Sequence, residues 1–180
     1  MNWSLRLDQW KPDYLHLKQA ISFSVQAGEL WRIQGENAVG KTSLLKAIVK
    51  EASSKNLRVF FLTQFKDELF QFPLELREIL KIYDLSKTHP LLQGLDLDRQ
   101  WRRASGGERS RILLAIAFQQ DVDLLILDEP EQALDESSRE IFRQCLEAWR
   151  ENRNRALIYV SHLSKNFLSD ENQLLLERAS

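Results

Sequence analysis

The chain has 180 residues, 43% apolar and 28% charged, enough for one folded domain with a real core. Its 25 lysines and arginines nearly balance 26 acidic residues, so composition gives no basic face for nucleic acid or an anionic membrane surface, and no nucleic-acid partner is expected. A lone cysteine, Cys145, excludes an internal disulfide, and no apolar run reaches the ~18 residues that would span a bilayer.

No basic region followed by an apolar core opens the sequence, so no signal peptide is expected. These bounds predict a soluble, cytoplasmic protein with a single domain over residues 1–180. Residues 3–10 and 14–25 alternate in polarity and read as antiparallel strands joined across Lys11-Pro12-Asp13, a turn-forming stretch. Ala27-Gly28-Glu29 turns the chain into a short buried strand, Leu30-Trp31-Arg32-Ile33. A helix from Lys41 to about Lys50 follows, ended by Ser53, Ser54 and Asn56. Arg58–Gln64 is almost continuously apolar, as a central parallel strand covered on both faces would be.

Strand signals then stop for roughly forty residues, too many for a plain loop. Leu74, Leu76, Ile79, Leu80 and Tyr83 suit one face of a helix beginning just after Pro73, and a second short helix fits before Arg103. Alternation resumes with a helix after Gly107, the strand Leu124–Leu127 and a helix near Ser137–Arg150. Cys145 falls on that helix as a small buried residue. The strand Leu157–Val160, a short helix after His162 and a last strand near Leu174–Leu176 complete the chain. Repeated strand–helix–strand units predict an α/β fold with a mostly parallel sheet and helices on both faces.

Gly35-Glu36-Asn37-Ala38-Val39-Gly40-Lys41-Thr42 reads G-x-x-x-x-G-K-T between a strand and a helix, the order of a phosphate-binding P-loop. Gly35 and Gly40 permit the tight turn that aims backbone N–H groups at one anion, and the following helix adds its positive end. Lys41 supplies a mobile charge for the outer phosphates, and the Thr42 hydroxyl suits Mg²⁺. Leu124–Leu127 ends in Asp128 and Glu129. At the carboxyl end of a parallel strand, Asp128 is placed to hold Mg²⁺ and Glu129 to orient or deprotonate a water attacking the γ-phosphate. Ser105-Gly106-Gly107-Glu108 offers an N-cap and two glycines at a helix start, a second anion-binding nest.

In this order the motifs resemble those of ATP-binding cassette (ABC) ATPases over nearly the whole chain. Gly35–Thr42 with Ser43 resembles Walker A, and Gln64 at a strand end resembles the Q-loop glutamine. Ser105–Glu108 resembles the signature motif, and Leu124–Glu129 resembles Walker B with its catalytic glutamate. Ala133-Leu134-Asp135 resembles the D-loop, and Ser161-His162 the switch histidine. The resemblance implies a P-loop NTPase (RecA-like) core, a small antiparallel β-subdomain and an inserted α-helical subdomain over about 65–104. It implies ATP and Mg²⁺ as ligands, with Thr42, Gln64 and Asp128 near the metal and Glu129, His162 and Gln64 in catalysis. It further implies a head-to-tail dimer with a second copy or a related cassette. Each ATP would then lie between Gly35–Thr42 of one chain and Ser105–Gly107 of the other, with Asp135 reaching across.

The leading functional expectation is the ATPase subunit of a transporter. It would dock through the region around Phe65–Tyr83 on separate transmembrane permease subunits, at the cytoplasmic face of the membrane. Local phrasing around Gln26–Glu29 and Asn37–Leu45 is similar to small bacterial exporter ATPases of the haem-exporter type. The alternatives are a soluble ABC ATPase in repair, translation or regulation, and a cassette that binds ATP without turnover. Departures from the family pattern are Ala38 at a glycine position, Ala104 before the signature serine and Leu163 after His162. Only 28 residues separate Gly35 from Gln64, so the β-subdomain must be small. For the aromatic that would stack on adenine, Trp10 and Tyr14 are the candidates, and His16 and His89 are expected to be structural.

Overall fold

The computed structural model describes residues 3–63, 73–161 and 171–179. Strands β1 (Ser4–Trp10) and β2 (Ile21–Gln26) form a separate two-stranded antiparallel sheet. The main sheet holds five strands, β3 (Leu30–Gly35), β4 (Val59–Leu62), β5 (Leu124–Asp128), β6 (Ala156–Val160) and β7 (Asn172–Leu176). Their order is β4-β5-β6-β3-β7, and every pairing is parallel. The helices are α1 (Lys41–Ser54), α2 (Leu76–Ile82), α3 (Gly106–Gln119) and α4 (Glu136–Glu151), with single 3₁₀ turns at Pro90–Leu92 and Trp101–Arg103.

The sheet is apolar on both faces, and the period-2 alternation of a strand divides its side chains between two cores. Leu125 and Leu127 of β5 and Leu157 and Tyr159 of β6 join α3 and α4 in one cluster. Leu124 and Ile126 of β5 and Ile158 and Val160 of β6 join α1 and the β1–β2 sheet in the other. This two-sided burial is why β5 and β6 read as unbroken apolar runs.

Three boundaries differ from the sequence expectation, each for a local reason. Helix α1 runs on through Ser53 and Ser54, because their hydroxyls bond back to the carbonyls of Val49 (2.9 Å) and Glu51 (2.7 Å) instead of breaking the helix. The second strand begins at Ile21 rather than Tyr14: β1 bulges near Gln9 (φ 50°), and Leu17 makes an isolated bridge to Arg178 at the other end of the chain. Strand β4 is not central. It stands at an edge of the described sheet, and Val59, Phe60 and Phe61 are only half-buried.

Order in residues 73–105 comes from caps. Glu75 and Glu78 form a capping box that starts α2, and Trp101, 1% exposed, anchors the following turn against Leu74.

Candidate nucleotide site

Strand β3 and helix α1 leave between them the loop Gly35–Gly40, at the carboxyl edge of the sheet. Gly35 has φ 149°, and a Cβ there would lie 2.7 Å from the Leu176 carbonyl oxygen, so no side chain fits. Gly40 has φ 111°, and a Cβ would fall 2.5 Å from Leu15 Cδ1. Ala38 has φ 59°, so the alanine at the family's glycine position does occupy the left-handed region.

Lys41 is 7% exposed, and its Nζ donates to the carbonyl oxygens of Gly35 and Glu36, both at 2.8 Å. Burial lowers the pKa of its ammonium, while the nearby carboxylates of Glu129 and Asp128 push it back up. Thr42 Oγ1 donates to Asp128 Oδ2 at 2.8 Å, joining the first turn of α1 to the end of β5. Asp128 is 2% exposed. The chain's next residue, Glu129, has φ 51°, a strained backbone for a non-glycine residue at a strand end.

These groups border one cleft of about 840 Å³, lined by Asn37, Ala38, Gly40, Lys41, Thr42 and Ser43 on one side and Glu129 on the other. Leu15, Glu131, Gln132 and Arg139 line it as well, and sequence reasoning missed all four. Arg139 had a signal, since it lies one helical turn beyond Asp135 on α4, and its guanidinium suits a phosphate. Glu131 had none in the hydrophobic pattern. It is 4% exposed, its hydroxyl partner is Ser161, and the Arg32 guanidinium offsets part of its burial. Arg32 in turn pairs with Glu171 at 3.5 Å, and the Tyr159 hydroxyl donates to the same Glu171 carboxylate. A buried polar network thus runs beneath the P-loop strand.

Neither aromatic candidate for the base lines the cleft. Trp10 packs half-buried against the β1–β2 core, and Tyr14 is 71% exposed. Ser105 caps α3 as anticipated: its hydroxyl accepts from Glu108 N (3.2 Å), and its own N–H donates to Glu108 Oε2 (2.7 Å). Gly106 and Gly107 do not form a nest, because they are the first helical residues and neither has positive φ. What Gly107 provides is space, since a Cβ would meet the Ala133 carbonyl oxygen at 2.9 Å. Signature and D-loop are therefore packed together, and neither lines the cleft of its own chain. Asp135 caps α4 through Ser138 N (2.8 Å). Gln64 and His162 lie outside the described residues. His89 Nδ1 accepts from Leu91 N and caps a 3₁₀ turn, the structural role anticipated for it.

Comparison with known proteins agrees with this arrangement. Residues 18–69 match the family model for ABC transporters. A metal transport system ATP-binding protein of Thermotoga maritima is 30% identical over 160 residues, covering 79% of this chain and 67% of that protein. The chain belongs to the ABC transporter family of ATP-binding proteins. Another member, the zinc import ATP-binding protein of Acinetobacter baylyi, is 29% identical over 79% of this chain and 60% of its own length. The chain thus spans about two thirds or less of the relatives it matches. An ABC transporter ATP-binding protein from Pyrococcus furiosus shares the ABC fold with a TM-score of 0.74 at 20% identity, covering 96% of this chain and 97% of that one. A metal-chelate type ABC transporter in an inward-facing conformation gives 0.71 at 23% identity, covering 98% and 80%.

Proposed function

We infer that this chain is the ATP-binding and ATP-hydrolysing subunit of an ABC transporter, powering transport through separate transmembrane permease subunits. The observation that carries it is the convergence of Lys41, Thr42 and Glu129 on one cleft at the carboxyl edge of the sheet, with Asp128 held just behind it by the Thr42 hydroxyl. No helix among the described residues is long and apolar enough to cross a membrane, which fits a subunit that docks at the cytoplasmic face.

Lys41 exchanges its two loop carbonyls for phosphate oxygens, and the N–H groups at the start of α1 hold the same anion. Thr42 and Asp128 bring a hydroxyl and a carboxylate within 2.8 Å, the hard oxygen donors that suit Mg²⁺. Bound there with ATP, Mg²⁺ would neutralise developing charge on the β- and γ-phosphates. Glu129, one residue beyond Asp128, takes the proton of the attacking water or orients it, with Gln64 and His162 as further catalytic residues. Ser105–Gly107 and Asp135 of a second copy complete each site, since these residues do not line the cleft of their own chain. Relatives named for zinc import and metal transport make a metal ion the first cargo to test, with the permease setting the choice.

Glu129→Gln decides the reaction. Hydrolysis should fall about 10²–10⁴-fold while ATP binding persists. Turnover unchanged by this substitution removes Glu129 as the base. Recovery of a multi-span partner from detergent-solubilised membranes supports the transporter reading, and recovery of ribosomes instead favours the soluble alternative.

A further inference from the structure

Another hollow, of about 420 Å³, lies away from the nucleotide cleft, between the last turns of α3 and α4 and the 3₁₀ turn Pro90–Leu92. Arg155, the residue before β6, closes one side of it, so it lies toward the amino edge of the sheet, opposite the P-loop. Its walls are fixed before any ligand arrives. Arg111 Nε donates to the Leu91 carbonyl at 2.8 Å and fastens the 3₁₀ turn to α3. The Arg155 backbone is held on both sides, its N–H donating to Asn152 O (3.3 Å) and its carbonyl accepting from Gly28 N (2.9 Å). Phe118 and Trp149 supply an apolar wall, their ring centroids 6.0 Å apart and the planes tilted by 58°. The volume falls in the range of small-molecule sites, which combine such walls with a few placed polar groups.

The polar lining is one-sided. His89, Gln119, Gln144 and Arg155 bring one cation and no carboxylate. The Arg155 guanidinium lies 4.4 Å over the Trp149 ring, and no acidic side chain pairs with it among the described residues. Trp149 is 5% exposed, and its Nε1 and the Nε of Arg155 are buried with no hydrogen-bond partner among the described residues. Native structures rarely leave buried donors so. His89 accepts at Nδ1 from Leu91 N, which leaves its proton on Nε2 as a further donor. We propose that this hollow binds a small amphipathic anion, a carboxylate carried on an aromatic ring, with the ring against Phe118 and Trp149 and the carboxylate on Arg155. Aromatic pairs favour such tilted walls. Stacking on Trp149 holds the guanidinium plane, so less side-chain freedom is lost when it takes the carboxylate oxygens. The site requires no nucleotide and stands apart from the ATPase reading.

Calorimetric titration of the full chain with phenylacetate, its neutral amide phenylacetamide and the cation phenethylamine tests this, each with and without ADP. Phenylacetate should bind with a Kd of about 1 mM or tighter, the amide about five- to tenfold more weakly and the amine more weakly still. ADP, which fills the P-loop cleft without turnover, should leave the acid's Kd within about twofold. Arg155→Gln should bring acid and amide within about twofold of each other. Ala148→Trp, at an exposed lining position, should fill the hollow and weaken both by about tenfold or more, a result that stands even if the glutamine variant folds poorly. Both variants should bind ADP as the wild type does. No binding of the acid up to about 10 mM overturns the proposal, as do equal affinities for acid and amide. Displacement of the acid by ADP overturns it too, since the anion would then sit at the P-loop, and so does a Kd that neither substitution changes.

Discussion

Ala38 and Glu131 are the two residues where the cleft departs from an easy solution. At φ 59° Ala38 holds a conformation that costs an L residue about 1–2 kcal/mol, and glycine would recover it at an entropic cost of about 0.5–1 kcal/mol. Ala38→Gly should therefore raise unfolding stability by about 0.5 kcal/mol, read as a urea midpoint shift at constant slope, and should not weaken ATP binding. Glu131 presents a different strain. Its Oε2 is buried without a hydrogen-bond partner, and burial drives its carboxyl pKa above the usual range, partly offset by Ser161 and Arg32 and reinforced by Glu129. A carboxyl whose pKa is raised by folding stabilises the native state fully below the unfolded value, ~4.3, and loses that contribution as pH rises through the folded value. Glu131→Gln removes this loss. Urea unfolding of the variant should gain on the wild type as pH climbs from about 4.3 toward neutrality, and parallel pH profiles would show that Glu131 is charged in the fold.

At the scale of elements, α3 shows how a capping box and a tight glycine serve different ends. Ser105→Ala removes the hydroxyl that accepts from Glu108 N and should cost about 1 kcal/mol in stability. Gly107→Ala should cost more, about 1–3 kcal/mol, because the obstacle is the backbone carbonyl of Ala133 and cannot rotate away. If thermal unfolding ranks the two the other way, the contact between signature and D-loop is looser than the structure shows. The sequence made much of this visible, and it did so where one signal is local. Strand β5 and its acidic end, the P-loop turn and the Ser105 cap each follow from a few adjacent residues. The errors arose where a residue's partner lies far along the chain. Val59-Phe60-Phe61 reads as central, yet β4 has a neighbour only on the β5 side among the described strands. Leu17 reads as one step of a strand and instead bridges to Arg178. Leu15 reads as an ordinary strand position, and only the approach of the P-loop brings it to the cleft. Aromatic character drew attention to Trp10 and Tyr14, whereas the residue of this stretch that lines the cleft is Leu15.

For the whole molecule the question is whether one chain can complete its own site. The cleft holds Lys41, Thr42 and Glu129 but is not lined by Ser105, Gly106, Gly107 or Asp135 of the same chain. Those four lie at the starts of α3 and α4, with Ser105, Gly106 and Asp135 exposed and Gly107 half-buried, and the positive N-terminal end of α3 would favour an anion brought from outside. A head-to-tail dimer satisfies both halves at once, and it makes a prediction that a self-contained site does not. A Lys41→Ala chain cannot hold the phosphates but keeps its signature, and a Ser105→Arg chain keeps its P-loop while blocking the site it would complete. Each alone should be inactive. Mixed in equal amounts, about half of the dimers pair one of each, and each such pair contains one intact site of two. Turnover per chain should then recover to roughly a quarter of wild type if the partners exchange freely. A self-contained site leaves the mixture at the sum of the two inactive parents. Recovery that grows with protein concentration, at saturating ATP, ties the restored activity to association rather than to residual function of either chain.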